Sequence, residues 1–156
     1  MSIGTLSRKG LRRALAAVLR EALPDVELVK HIALDAVPQG IAERGMALEG
    51  FASRDDASRK RRNSHVLKRH TVSARYAKRL GHDVEDDRET AEDDVDRIER
   101  AIRNSTNALT SEYSCDTFDS DQDVDPSGEW IVYDLRFDVL CQFKLRDPDA
   151  VPVALE

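Results

Sequence analysis

Large side chains are scarce in this sequence. One Trp, three Tyr and four Phe make up 5% of its 156 residues. A chain of this length has room for one domain and one core, and so few aromatics imply a modest core that partner subunits would help to complete. No apolar run approaches the ~20 residues of a membrane-spanning helix, so no membrane partner is expected. The opening MSIGTLSRKGLRRAL carries Arg and Lys but no following apolar stretch or small-residue cleavage site, so no signal peptide is expected. The two cysteines, Cys115 and Cys141, lack metal-ligand spacing. They read as reduced thiols of a cytoplasmic protein, with Cys141 in the core. His31, His65, His70 and His82 share no metal-binding spacing, and HExxH, GxSxG, GxxxxGK[ST] and GxGxxG are all missing. The expectation is a protein that is not an enzyme and has no catalytic residue, metal or cofactor.

The best-marked stretch is Glu129 to Leu145, EWIVYDLRFDVLCQFKL. Ile131, Tyr133, Leu135, Phe137, Val139, Cys141, Phe143 and Leu145 share one parity. Trp130, Asp134, Arg136, Asp138, Gln142 and Lys144 share the other. A period of two puts the first set on one face of a strand, and the rest of the protein is expected to pack there. Two helices supply matching stripes. Thr5 to Leu23 presents Leu11, Leu15, Val18, Leu19 and Ala22 at helical spacing and ends at Pro24. Arg88 to Asn104 presents Ala91, Val95, Ile98, Ala101 and Ile102, with Thr90 and Asp93 as a capping pair.

The remaining elements are weaker. Val26 to Ile32 reads as a short strand, and Glu112 to Phe118 as another, joined to the last strand through the hairpin SDQDVDPSGE. His65 to Leu80 fits either period. Thr71, Val72 and Tyr76 favour a strand. Asp35 to Ser64, with Pro38, Gly40, Gly45 and Gly50, reads as a long extended arm or loop, with at most a short hairpin near Met46 to Phe51. Together these give one domain over residues 1–156. Its fold class is α+β, with a mainly antiparallel sheet and two helices packed on one face.

The net charge of −6 is unevenly distributed. Phe51 to Leu80 holds ten Lys/Arg against two Asp/Glu. Asp83 to Arg100 holds ten acids against three Arg, and Glu112 to Asp138 nine against one. Such a molecule can associate head to tail. Arg59, Lys60, Arg61 and Arg62 head the basic block, and Asp119, Asp121 and Asp123 alternate in the second acidic one. These seven are the expected contacts between subunits or with partners. The aspartates open like a calcium loop, but Val124 stands where such a loop needs Gly and Trp130 where it needs Glu. They read as a solvated hairpin tip. The basic block, residues 54–79, could track a phosphate backbone, but no zinc ligands or stacking aromatics accompany it.

The layout resembles a known family. The order is a helix ending at LPDVEL, a polar arm, the strand RHTVSARYAKRL, the helix DDVDRIERAIRN, and a hairpin closing with SGEWIVYDLRFDVLCQF. It is similar to the tail terminator, or tail completion, proteins of long-tailed bacteriophages. The resemblance implies a structural virion protein, a homo-oligomeric, hexameric ring that caps the tail tube. Its partners would be the tail tube protein and the head completion or neck protein. It would be made in the host cytoplasm and reside in the tail and neck of the virion. The long basic arm departs from the family pattern. Two other readings compete: a head-tail connector or neck protein, and a nucleic-acid-binding regulator that uses the basic block.

Overall fold

The computed structural model describes residues 7–33, 37–56, 65–108, 114–124 and 127–144. The elements follow the order α1 (Arg8–Ala22), β1 (Glu27–Val29), β2 (Arg44–Asp55), β3 (His65–Arg79), α2 (Val84–Ala108), β4 (Ser114–Val124) and β5 (Trp130–Lys144). They build one five-stranded sheet in the order β1-β2-β3-β5-β4. Only β1 runs parallel to its neighbour; the other pairs are antiparallel. The fold is α+β, as the periodicities implied.

Helix α1 starts at Ser7, whose hydroxyl accepts from the Gly10 amide at 3.0 Å. Leu11, Leu15 and Leu19 form its buried stripe, and Leu23 closes it by donating to the Leu19 carbonyl. Helix α2 begins earlier than the Thr90–Asp93 pair suggested. Asp83 accepts from the Asp86 amide at 3.0 Å, so the capping residue is Asp83. Glu85, Asp86 and Asp87 fill its first turn, where the helix dipole favours carboxylates. Ala91, Val95, Ile98 and Ile102 are buried beneath it.

The main core lies between these helices and one face of the sheet. It holds Ile131, Tyr133, Leu135, Phe137, Val139 and Cys141 of β5, with Val72, Ala74 and Tyr76 of β3 and Met46 and Leu48 of β2. Burial pushes the Cys141 thiol up to about 11, so it stays protonated at neutral pH.

Two expectations fail here. The stretch expected as an extended arm, residues 35–64, contains β2, a twelve-residue strand paired along β3. A bulge between Leu48 and Gly50 moves the inward positions from Met46 and Leu48 to Phe51 and Ser53, and that breaks the alternation. The second concerns the even parity of β5. Trp130 and Val132 are buried as deeply as the core set, in a second cluster with Ile32, Ala47 and Ala77. The β1–β2 connection crosses the other face of the sheet here. Arg75 donates to the Ile32 carbonyl at 2.7 Å, and Glu49 accepts from the Ile32 amide at 2.7 Å. A Cβ on Gly45 would stand 2.9 Å from the Ile41 side chain and 3.2 Å from the Glu27 carbonyl oxygen, so a larger residue there would force Ile41 to shift.

Candidate interaction surfaces

Beyond the crossing loop, the face of the sheet away from the helices is polar. Asp119, Asp121 and Asp123 project there from β4, exposed, beside Asp134, Arg136 and Asp138 of β5. They belong to a paired edge strand rather than to a hairpin tip. The register sets Asp119 opposite Arg136 and Asp121 opposite Asp134. Opposite charges across a ladder attract and like charges repel, each by a fraction of a kcal/mol to about 1 kcal/mol. A shallow groove over these strands is lined by Asp119, Ser120, Asp121, Asp134 and Arg136. On the β3 side Arg69 lies 3.5 Å from Asp138 and Arg75 lies 3.8 Å from Asp134. The face therefore grades from basic β3 to acidic β4. The other four expected contacts, Arg59, Lys60, Arg61 and Arg62, lie outside the described residues.

Between the helices and the start of β2 lies an ion-pair network. Asp94 is fully buried and takes two hydrogen bonds from Arg44, at 2.9 and 3.0 Å, and one from Arg97 at 3.1 Å. The Tyr76 hydroxyl donates to it at 2.5 Å. Asp25 completes the network against Arg44 and Arg97. Arg97 also donates to the Ala22 carbonyl at 3.2 Å, so the network ties α1 to α2. Burial, reinforced by the bond to Asp94, drives the Tyr76 phenol far above its usual range. Arg44, Arg97 and Tyr76 each have an acceptor here, so the network locks packing between the helices and the sheet.

His70 is the other buried polar side chain of note, 1% exposed on the helix side of β3. Its Nδ1 lies 2.7 Å from Ser53 Oγ, which accepts from Arg8 Nε at 3.2 Å. Because the arginine can only donate, the serine hydroxyl has its own hydrogen available for Nδ1. The other ring nitrogen, Nε2, has no partner among the described residues. Burial lowers the His70 pKa, and the charges of Arg8 and Lys68 lower it further. The unfolded chain binds this proton near pH 6.5 and the folded chain at lower pH. Stability is thus fully present above about pH 6.5 and is lost as pH falls below it. His70→Gln should flatten the urea midpoint between about pH 7.5 and about pH 5.5 relative to the parent. Equal slopes for parent and variant would refute the assignment.

Among the described residues, no group of three or more His, Cys, Asp or Glu is arranged to hold a metal ion. No helix among them is long and apolar enough to cross a membrane. No protein-family model and no curated protein matches the chain. Among solved structures, it is similar to the sheath/tube terminator of the PVC extracellular contractile injection system, seen by cryo-EM in the extended state. The two share a TM-score of 0.56 at 13% identity, over 99% of this chain and 65% of that one. The chain thus spans about two-thirds of its neighbour's length, and what the two have in common is the fold.

Proposed function

We propose that this protein is a tail terminator: a non-catalytic structural subunit that assembles into a ring, caps a tail tube and joins the tail to the head or neck of a virion. The observation that carries the reading is the match of 99% of the chain to a sheath/tube terminator fold. The physical character of the chain agrees with it. A small core, an acid-lined edge strand and unequal charge blocks suit a protein whose surfaces meet other subunits. A head-to-tail contact repeated around an axis closes into a ring when the rotation allows, and six subunits is the number the phage resemblance implies.

The test uses tail tubes polymerised from purified tube protein. Added during polymerisation, the protein should shorten the tubes and appear as a ring at one end by electron microscopy. Unaltered tube lengths with no density at the tips would sink the reading. Binding to head-completion protein without any effect on tubes would favour the neck-connector alternative.

A further inference from the structure

The charges of this molecule are sorted along the length of its strands. The register defines two ends. At one, β2 finishes at Asp55, opposite Lys68 of β3, which is itself opposite Cys141 of β5. At the other, Arg44 pairs with Lys78 and Lys78 with Ile131. Helix α1 starts at the first end, where Arg8 bonds Ser53. Helix α2 starts at the second, where Lys78 lies 3.3 Å from Asp87 and the Gly81 amide donates to Asp87 at 2.6 Å.

The first end is basic. Lys9, Arg13 and Arg54 are exposed there and make no ion pair among the described residues. The acids nearby are engaged: Asp55 holds Lys68 at 2.6 Å and Asp56 holds Arg69 at 3.7 Å. Helix α1 has no acid in its first turn and carries Arg8 and Lys9 instead. Cations at a helix N-terminus oppose the helix's own field. Within one subunit, that placement works against folding.

The second end is acidic. Glu27, Glu85, Asp86, Glu89 and Glu129 are exposed there. The bases among them are fewer. Lys30, Arg79 and Arg88 are exposed, while Arg44 and Lys78 are engaged by Asp25, Asp94 and Asp87. A fifteen-residue strand at roughly 3.3 Å per residue separates the ends by about 45–50 Å. The screening length at physiological salt is roughly 8 Å, so the two ends do not feel each other within one molecule. The excess charge of each end is therefore matched by the opposite end of another molecule rather than by its own.

We infer that subunits of this protein associate head to tail, with the basic end formed by the start of α1 and the end of β2 seated on the acidic end, around the start of α2, of a second copy. The inference deepens the ring reading by naming its contact, and it rests on that reading only for the closure of the contact into a ring. A second copy is favoured over a nucleic acid because the complementary surface is part of the same chain, whose net charge is −6.

The test needs the protein alone. One variant carries Lys9→Glu, Arg13→Glu and Arg54→Glu; a second carries Glu85→Lys, Asp86→Lys and Glu89→Lys. Light scattering should show the parent associated in about 50 mM salt and dissociated in about 500 mM. Each variant alone should lose association, and an equimolar mixture of the two should regain it, since each then presents what the other lacks. Should the helix substitutions unfold α2, Glu27→Lys with Glu129→Lys reverses the same end outside a helix. A parent that stays monomeric at low salt would overturn the inference, as would a variant that associates alone like the parent or a mixture that fails to associate. Retention of duplex DNA in place of self-association would overturn it in favour of a nucleic-acid partner. Because no tube protein is present, failure of tube capping and failure of this contact are read separately.

Discussion

Replacing Asp94 with alanine is expected to destabilise the protein by about 3–5 kcal/mol, the range for breaking a buried ion pair from one side. The carboxylate is completely buried and is the shared acceptor for Arg44, Arg97 and Tyr76. Its loss leaves the Tyr76 hydroxyl in a site that is 0% exposed with no acceptor, itself a cost of roughly 1–3 kcal/mol. Arg44 keeps Asp25, and it is partly solvated, so the charge is not stranded altogether. These contributions overlap and do not add. Asp94→Asn should fall between variant and parent, since an amide can still accept from tyrosine but offers no charge to Arg44. Urea unfolding followed through Trp130, the single tryptophan and itself 5% exposed, gives the readout. A midpoint for the alanine variant close to that of the parent would show that the network contributes little.

Asp94 also marks where sequence reading stops short. It lies in the acidic block 83–100, which stands out in the sequence only as a run of charge. The contrary signal was present, since Asp94 sits three residues after Ala91 and four before Ile98, on the helix's apolar stripe. A carboxylate on such a stripe is buried with partners or breaks the helix. The partners, Arg44 and Tyr76, come from strands fifty and eighteen residues away, and no local pattern points to them.

The long unbroken patterns were legible. β5 has no bulge against β3, so its parity holds from Trp130 to Lys144. The stripes of α1 and α2 were equally plain. β2 and β4 were obscured for a common reason, since each pairing contains a register shift, between Leu48 and Gly50 and between Cys115 and Thr117. A single inserted residue reverses the inward parity, and a period-two reading then finds two short, contradictory halves. The aspartates of β4 show the same confusion from the other side. Their alternation invited comparison with a calcium loop, yet it is the pleat of a strand that sends Asp119, Asp121 and Asp123 to one face. The burial of Trp130 and Val132 depends on the path of the β1–β2 connection, which composition does not encode.

The second large effect is expected at Phe137. Its ring is 1% exposed and central in the core face of β5, opposite Val72 on one side and Phe118 on the other. It stacks on the Phe118 ring with centroids 5.4 Å apart and planes inclined by 9°. Phe137→Ala removes the buried ring and leaves a cavity in the main core, which costs about 3–5 kcal/mol when the surroundings cannot collapse. Collapse is resisted here because β5 is held on both edges by β3 and β4. Phe118 is only half-buried on the edge strand, so Phe118→Ala should cost clearly less, nearer 1–2 kcal/mol for partial burial and a lost ring contact. The comparison separates core packing from the aromatic contact itself. If the stack carried the effect, both variants would lose the same stability, and the double variant would lose no more than either alone. If burial carries it, the urea midpoint falls much further for Phe137→Ala. A Phe137→Ala midpoint near the parent's would mean that the core does not rest on this face of β5.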